Sequence, residues 1–125
     1  MSYINSVLNV LRLESEAILE ASARLDPVQV ERVLSLLEDC KGKIIIMGVG
    51  KSGIIAQKIA ATLTSTGSPA IYLHPSDALH GDLGIVSLSD VVMILSNSGE
   101  TDELIEMLPY LKHRHVPIIA VVGNL

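Results

Sequence analysis

Val91-Val92-Met93-Ile94-Leu95-Ser96-Asn97-Ser98-Gly99-Glu100-Thr101-Asp102-Glu103-Leu104-Ile105 decides the reading of this chain. Val91 to Leu95 is an unbroken apolar run, as expected of a strand buried on both faces of a parallel sheet, and Leu104, Ile105, Leu108 and Leu111 then recur at helical spacing. Between them stands a loop of small hydroxyl, amide and glycine residues, at the carboxyl end of a strand and the amino end of a helix. Open α/β sheets bind ligands there, where the free N–H groups of the helix and the positive end of its dipole favour a phosphate. Ser96, Ser98 and Thr101 add hydroxyl donors, and Gly99 lets backbone approach closely.

Working outward, the same alternation recurs. Ile44 to Met47, Ala70 to Leu73 and Ile118 to Val122 are further short apolar runs, giving four expected strands. Helical stretches over about 53–66 and 101–114 separate the first strand from the second and the third from the fourth, which is the βαβ rhythm of an α/β parallel sheet flanked by helices. Pro109 falls inside the last helix and is expected to kink it or to remove one backbone bond.

Ahead of the sheet, Ile4, Val7, Leu8, Leu11, Ile18 and Ala21 form a broad helical stripe over residues 4–25. Asp26-Pro27 stops that helix and starts a second, whose apolar face is Val30, Val33, Leu34 and Leu37 and which Gly42 closes. Residues 1–42 are therefore read as helices for packing or for contacts between subunits, and residues 43–125 as the ligand-binding domain. The chain stops two residues after Gly123, directly behind the fourth strand. A bare strand edge is normally covered or paired, so the expectation is a fragment of a longer chain, with oligomerisation second.

Composition narrows the function. A chain of 125 residues that is 49% hydrophobic forms one domain at most and can bury a real core. Three Tyr with no Trp or Phe argue against stacking on nucleic-acid bases, and a net charge of −5 argues against nucleic-acid or anionic membrane surfaces. No apolar run approaches the roughly 18 residues of a membrane span. Cys40 is the sole cysteine, read as a small, partly buried helix residue in a reducing, cytoplasmic setting.

Gly48-Val49-Gly50-Lys51-Ser52-Gly53 is a second glycine-bearing turn between a strand and a helix. It satisfies the G-x-G-x-x-G spacing, but Leu73-His74-Pro75 stands where an acidic ribose partner belongs about 20 residues on. The triphosphate loop needs a glycine where this chain has Ile45. Structural glycines with Lys51 as a surface charge are the bland alternative. Two anion-friendly turns facing one crevice suit a small phosphorylated ligand.

Gly48-Val49-Gly50-Lys51-Ser52-Gly53, Ser65-Thr66-Gly67, His74-Pro75, His80-Gly81-Asp82-Leu83-Gly84 and Ser96-Asn97-Ser98-Gly99-Glu100-Thr101 together resemble the sugar isomerase (SIS) domain of the arabinose-5-phosphate isomerase family, in order from about Gly42 to Gly123. The resemblance implies a flavodoxin-like parallel sheet, a homo-oligomer, no cofactor and interconversion of D-ribulose 5-phosphate and D-arabinose 5-phosphate. In that family the product feeds synthesis of the sugar acid Kdo. It also implies that Ser52, Ser96, Ser98 and Thr101 hold the phosphate, with Asn97 and the loop amides around Gly99 assisting. Lys51 and Glu103 match residues linked to catalysis. Isomerisation through an enediolate needs a base and an electrostatic partner, roles that fall to Glu103 and Lys51. Glu103 is equally the kind of acidic residue that favours a helix's first turn. His80 is expected to hydrogen-bond sugar hydroxyls; His74 and Asp82 lie near it without strict metal-ligand spacing. His113 and His115 are read as complements to a helix dipole.

Family members continue into a fifth strand, a segment with a second glutamate and a histidine, and usually paired regulatory domains. The same domain also serves as a non-catalytic phosphosugar sensor in transcriptional regulators. Those carry a helix-turn-helix domain ahead of it, and the acidic first 42 residues show no basic recognition helix.

Overall fold

The computed structural model describes residues 2–97 and 102–123, in two compact units, Met1–Leu34 and Ser35–Leu125. In the first, α1 (Tyr3–Arg24) begins where the Ser2 hydroxyl accepts the Asn5 amide at 3.4 Å. The start of α2 (Pro27–Glu38) is held by the Asp26 carboxylate, which accepts the Val28 amide at 2.9 Å, with Pro27 at the position where its missing N–H costs nothing. None of α1 is buried, and its apolar stripe stays exposed, Ile18 by 70%.

The second unit is a four-stranded parallel sheet ordered β2-β1-β3-β4. Its strands are β1 (Ile44–Met47), β2 (Ala70–Tyr72), β3 (Val91–Ser96) and β4 (Ile118–Val122). Between them run α3 (Lys51–Ser65), α4 (Pro75–Leu79), a 3-10 turn (Asp82–Ile85) and α5 (Asp102–His113). The chain leaves β1 for β2 on one side and returns to β3 on the other, so β1 and β3 flank the switch point of the sheet.

Alternation along the strands explains the two layers. Ile45 beside Val92 and Met47 beside Ile94 send one set of side chains into a core with Leu104, Met107 and Leu111 of α5, Ala78 of α4 and Val116. Ile44, Ile46 and Met93 point to the other face, where α3 approaches with the small buried residues Gly53, Ala56 and Ala60. Because both faces are covered, β1 and β3 are buried at every position, as their unbroken apolar runs require.

The differences from expectation are local. β2 ends at Tyr72, one residue early, although the Leu73 amide still bonds the Ile46 carbonyl at 3.0 Å. α3 begins two residues sooner than periodicity suggests, with Gly50 as its cap. α2 ends at Glu38 rather than near Gly42, so Cys40 is half-buried just beyond the helix, its Sγ 3.6 Å from the carbonyls of Lys43 and Ser89. Pro109 is accommodated inside an unbroken α5. Asp90 is the one buried carboxylate among the described residues; it accepts the Lys43 ammonium, the Lys43 amide and the Ser87 amide.

Candidate functional site

The site is built on the carboxyl edge of the sheet. Met47 lies beside Ile94 in the ladder, so the turn that follows β1 opens beside the end of β3 at the switch point. The first turn is unusually tight. Gly50 has φ 62° and ψ −129°, a conformation that side-chain-bearing residues rarely adopt. A Cβ on Gly48 would lie 2.8 Å from the Ser52 carbonyl, and one on Gly53 would lie 2.8 Å from the Gly48 oxygen. The glycines thus let the backbone of β1 and the first turn of α3 touch, and structural necessity accounts for all three.

That tight turn places Lys51 and Ser52 at the first positions of α3. The amide of Ile54 already bonds the Gly50 carbonyl at 3.2 Å, so the amides of residues 51–53 precede the intrahelical ladder, an arrangement suited to an anion. Lys51 is exposed and Ser52 half-buried.

On the neighbouring strand Ser96 is buried as the last residue of β3, and Asn97 is exposed just beyond it. Both carbonyls accept the Gly123 amide, at 3.3 and 3.1 Å, which fastens the end of β4 to this turn. Ser98, Gly99 and Thr101 lie outside the described residues. The chain resumes at Asp102, and Glu103 sits half-buried in the first turn of α5, where the helix dipole favours a carboxylate.

The third contribution follows β2. His74 caps α4, its Nδ1 accepting the Ser76 amide at 3.0 Å, so that nitrogen is committed to a structural bond. His80 stands exposed at the carboxyl end of α4, and Asp82 is exposed in the following 3-10 turn. His113 and His115 belong to the opposite edge of the sheet, at the end of α5 and before β4.

Sequence reasoning missed Tyr72. Its hydroxyl donates to the Gly48 carbonyl at 2.7 Å, and its ring stands edge-on to His74, with centroids 6.5 Å apart at 80°. Burial, and behind it the Asp77 carboxylate, push the phenol above its ordinary range and keep it a donor. The available signal was a tyrosine ending a strand beside the glycine turn, an apolar body with a polar tip.

A family model described as "SIS domain" matches residues 36–125. The chain is similar to the arabinose 5-phosphate isomerase KpsF of Escherichia coli O6:H1, with 46% identity over 97% of this chain and 37% of that protein. It is also similar to the arabinose 5-phosphate isomerase KdsD of Shigella flexneri, with 55% identity over 68% of this chain and 26% of that protein. Among solved structures, an Escherichia coli CFT073 protein in complex with arabinose 5-phosphate superposes with a TM-score of 0.85 and 38% identity, over 98% of this chain and 66% of that one. The chain thus spans little more than a third of the length of the curated relatives it matches over nearly its whole extent.

Proposed function

The chain belongs to the SIS domain family, and from that premise we propose that it forms the phosphosugar site of an aldose-ketose isomerase acting on D-arabinose 5-phosphate and D-ribulose 5-phosphate. The observation that carries this reading is the glycine turn after β1 opening beside the end of β3 at the switch point, in a chain similar to named arabinose 5-phosphate isomerases.

The family resemblance and the chemistry of the reaction support the roles. The amides at the start of α3, with Ser52, bind the phosphate together with Ser96, Asn97, Ser98, Gly99 and Thr101. His80 reaches the sugar hydroxyls. Glu103 is the base: it takes the proton from C2 of the aldose or C1 of the ketose and returns it to the other carbon, while a hydroxyl proton passes between O1 and O2. The Lys51 ammonium balances the enediolate oxyanion formed between the two transfers. The domain works without a cofactor, in the cytoplasm, as a homo-oligomer. Among the described residues no helix is long and apolar enough to cross a membrane.

Titration of the 15N-labelled chain with D-arabinose 5-phosphate tests the assignment. Amide shifts clustered at residues 48–53 and 96–103 support it; saturating sugar phosphate without such shifts removes it. Binding without proton exchange at the sugar would favour the sensor reading, which the same turns accommodate.

A further inference from the structure

We infer that Tyr72 is a positioning residue for this site: its hydroxyl sets the turn that presents Lys51 and Ser52, and its ring ties that turn to the segment carrying His80. The inference rests on the phosphosugar reading above.

Tyr72 ends β2, beside Ile46 of β1 in the ladder, so its side chain reaches the turn from the neighbouring strand. It crosses 24 positions of sequence to grip the Gly48 carbonyl, which has left the strand and not yet entered the helix. That oxygen is the pivot of the turn. A Cβ on Gly53 would meet it at 2.8 Å and the phenol oxygen at 2.9 Å, while a Cβ on Gly48 would meet the Ser52 carbonyl at 2.8 Å. Carbonyl, phenol and first helical turn are therefore packed without slack. A shift of Gly48 is passed directly to Ser52 and Lys51.

The other end of the linkage is His74, which the ring touches edge-on. His74 holds the first turn of α4 through its Nδ1, and His80 caps the far end of that five-residue helix. One side chain thus contacts both the turn after β1 and the start of the segment after β2. Since the phenol is held protonated, this arrangement persists through neutral and mildly alkaline pH.

Tyr72→Phe, made in the full 125-residue chain, keeps the ring and deletes the bond. It should weaken D-arabinose 5-phosphate binding about tenfold, the scale of one lost hydrogen bond. Inorganic phosphate should weaken by a similar factor, because the turn serves the phosphate rather than the sugar. The amide shifts of Gly48, Lys51 and Ser52 should move even without ligand. A purely structural role would lower the melting temperature and leave the affinity of the folded protein unchanged, and that result overturns the inference. If the unsubstituted chain binds neither ligand, the phosphosugar reading fails separately. The claim on the turn is then decided by the ligand-free shifts, and unmoved Lys51 and Ser52 amides overturn it.

Discussion

Asp90 holds Lys43 twice: its Oδ2 lies 2.7 Å from the Lys43 ammonium, and its Oδ1 accepts the Lys43 backbone amide at 2.9 Å. With the Ser87 amide also bonded to Oδ2, this carboxylate joins the starts of β1 and β3, the two strands whose far ends carry the proposed site. Burial alone would raise its pKa, but the bonds from the Lys43 side chain and from the Ser87 and Lys43 amides outweigh it and hold the carboxyl below its ordinary range. The folded state therefore resists protonation. Its contribution to stability is complete above the ordinary aspartate range and is lost as pH falls through the lowered value. Thermal melting across acid pH should show this loss, and Asp90→Asn should flatten it.

Asp90→Ala should destabilise the fold by about 2 kcal/mol. A fully buried pair would cost about 3–5 kcal/mol, but the Lys43 side chain is 25% exposed and its stranded ammonium rehydrates. Urea unfolding gives the value, and a change below about 0.5 kcal/mol would show that the pair holds nothing together.

Gly53→Ala should cost about 1–3 kcal/mol, the range for overpacking, since the added methyl meets the Gly48 carbonyl and the Tyr72 hydroxyl and the first of these is backbone. The variant should also lose phosphosugar affinity because β1 and α3 are forced apart. Wild-type stability and binding together would contradict the close approach.

Ser98→Ala tests a residue known here from sequence alone. Removing one hydroxyl from a charged acceptor should reduce affinity for D-arabinose 5-phosphate by about tenfold. Calorimetric titration showing unchanged affinity would take Ser98 out of the phosphate set.

Much of this was legible beforehand, for identifiable reasons. Ile44–Met47 and Ile118–Val122 have the expected limits, because short β-branched runs have few alternatives to a strand. The glycine turn after β1 was equally visible, since glycines at a strand end have a local cause, whereas most of the turn after β3 lies outside the described residues. Pro75–Leu79 was not foreseen: five residues are too few for helical periodicity, and that helix is held by the His74 cap. The Tyr72 bond was hidden because it spans 24 residues and depends on the order of strands β2 and β1. Cys40 was misplaced by assuming that α2 runs to the next glycine, when the chain turns earlier to let Gly42 donate to the Ser89 carbonyl.

The most direct test of the central claim is proton NMR of D-ribulose 5-phosphate in deuterated water with this chain and its Glu103→Gln variant. The account predicts formation of the aldose and entry of deuterium at the exchanging carbon. The variant should still bind, with exchange slowed by about a hundredfold or more. Exchange undiminished in the variant would place the base elsewhere, and a chain that binds the sugar phosphate but never exchanges its proton would contradict isomerase chemistry in this domain.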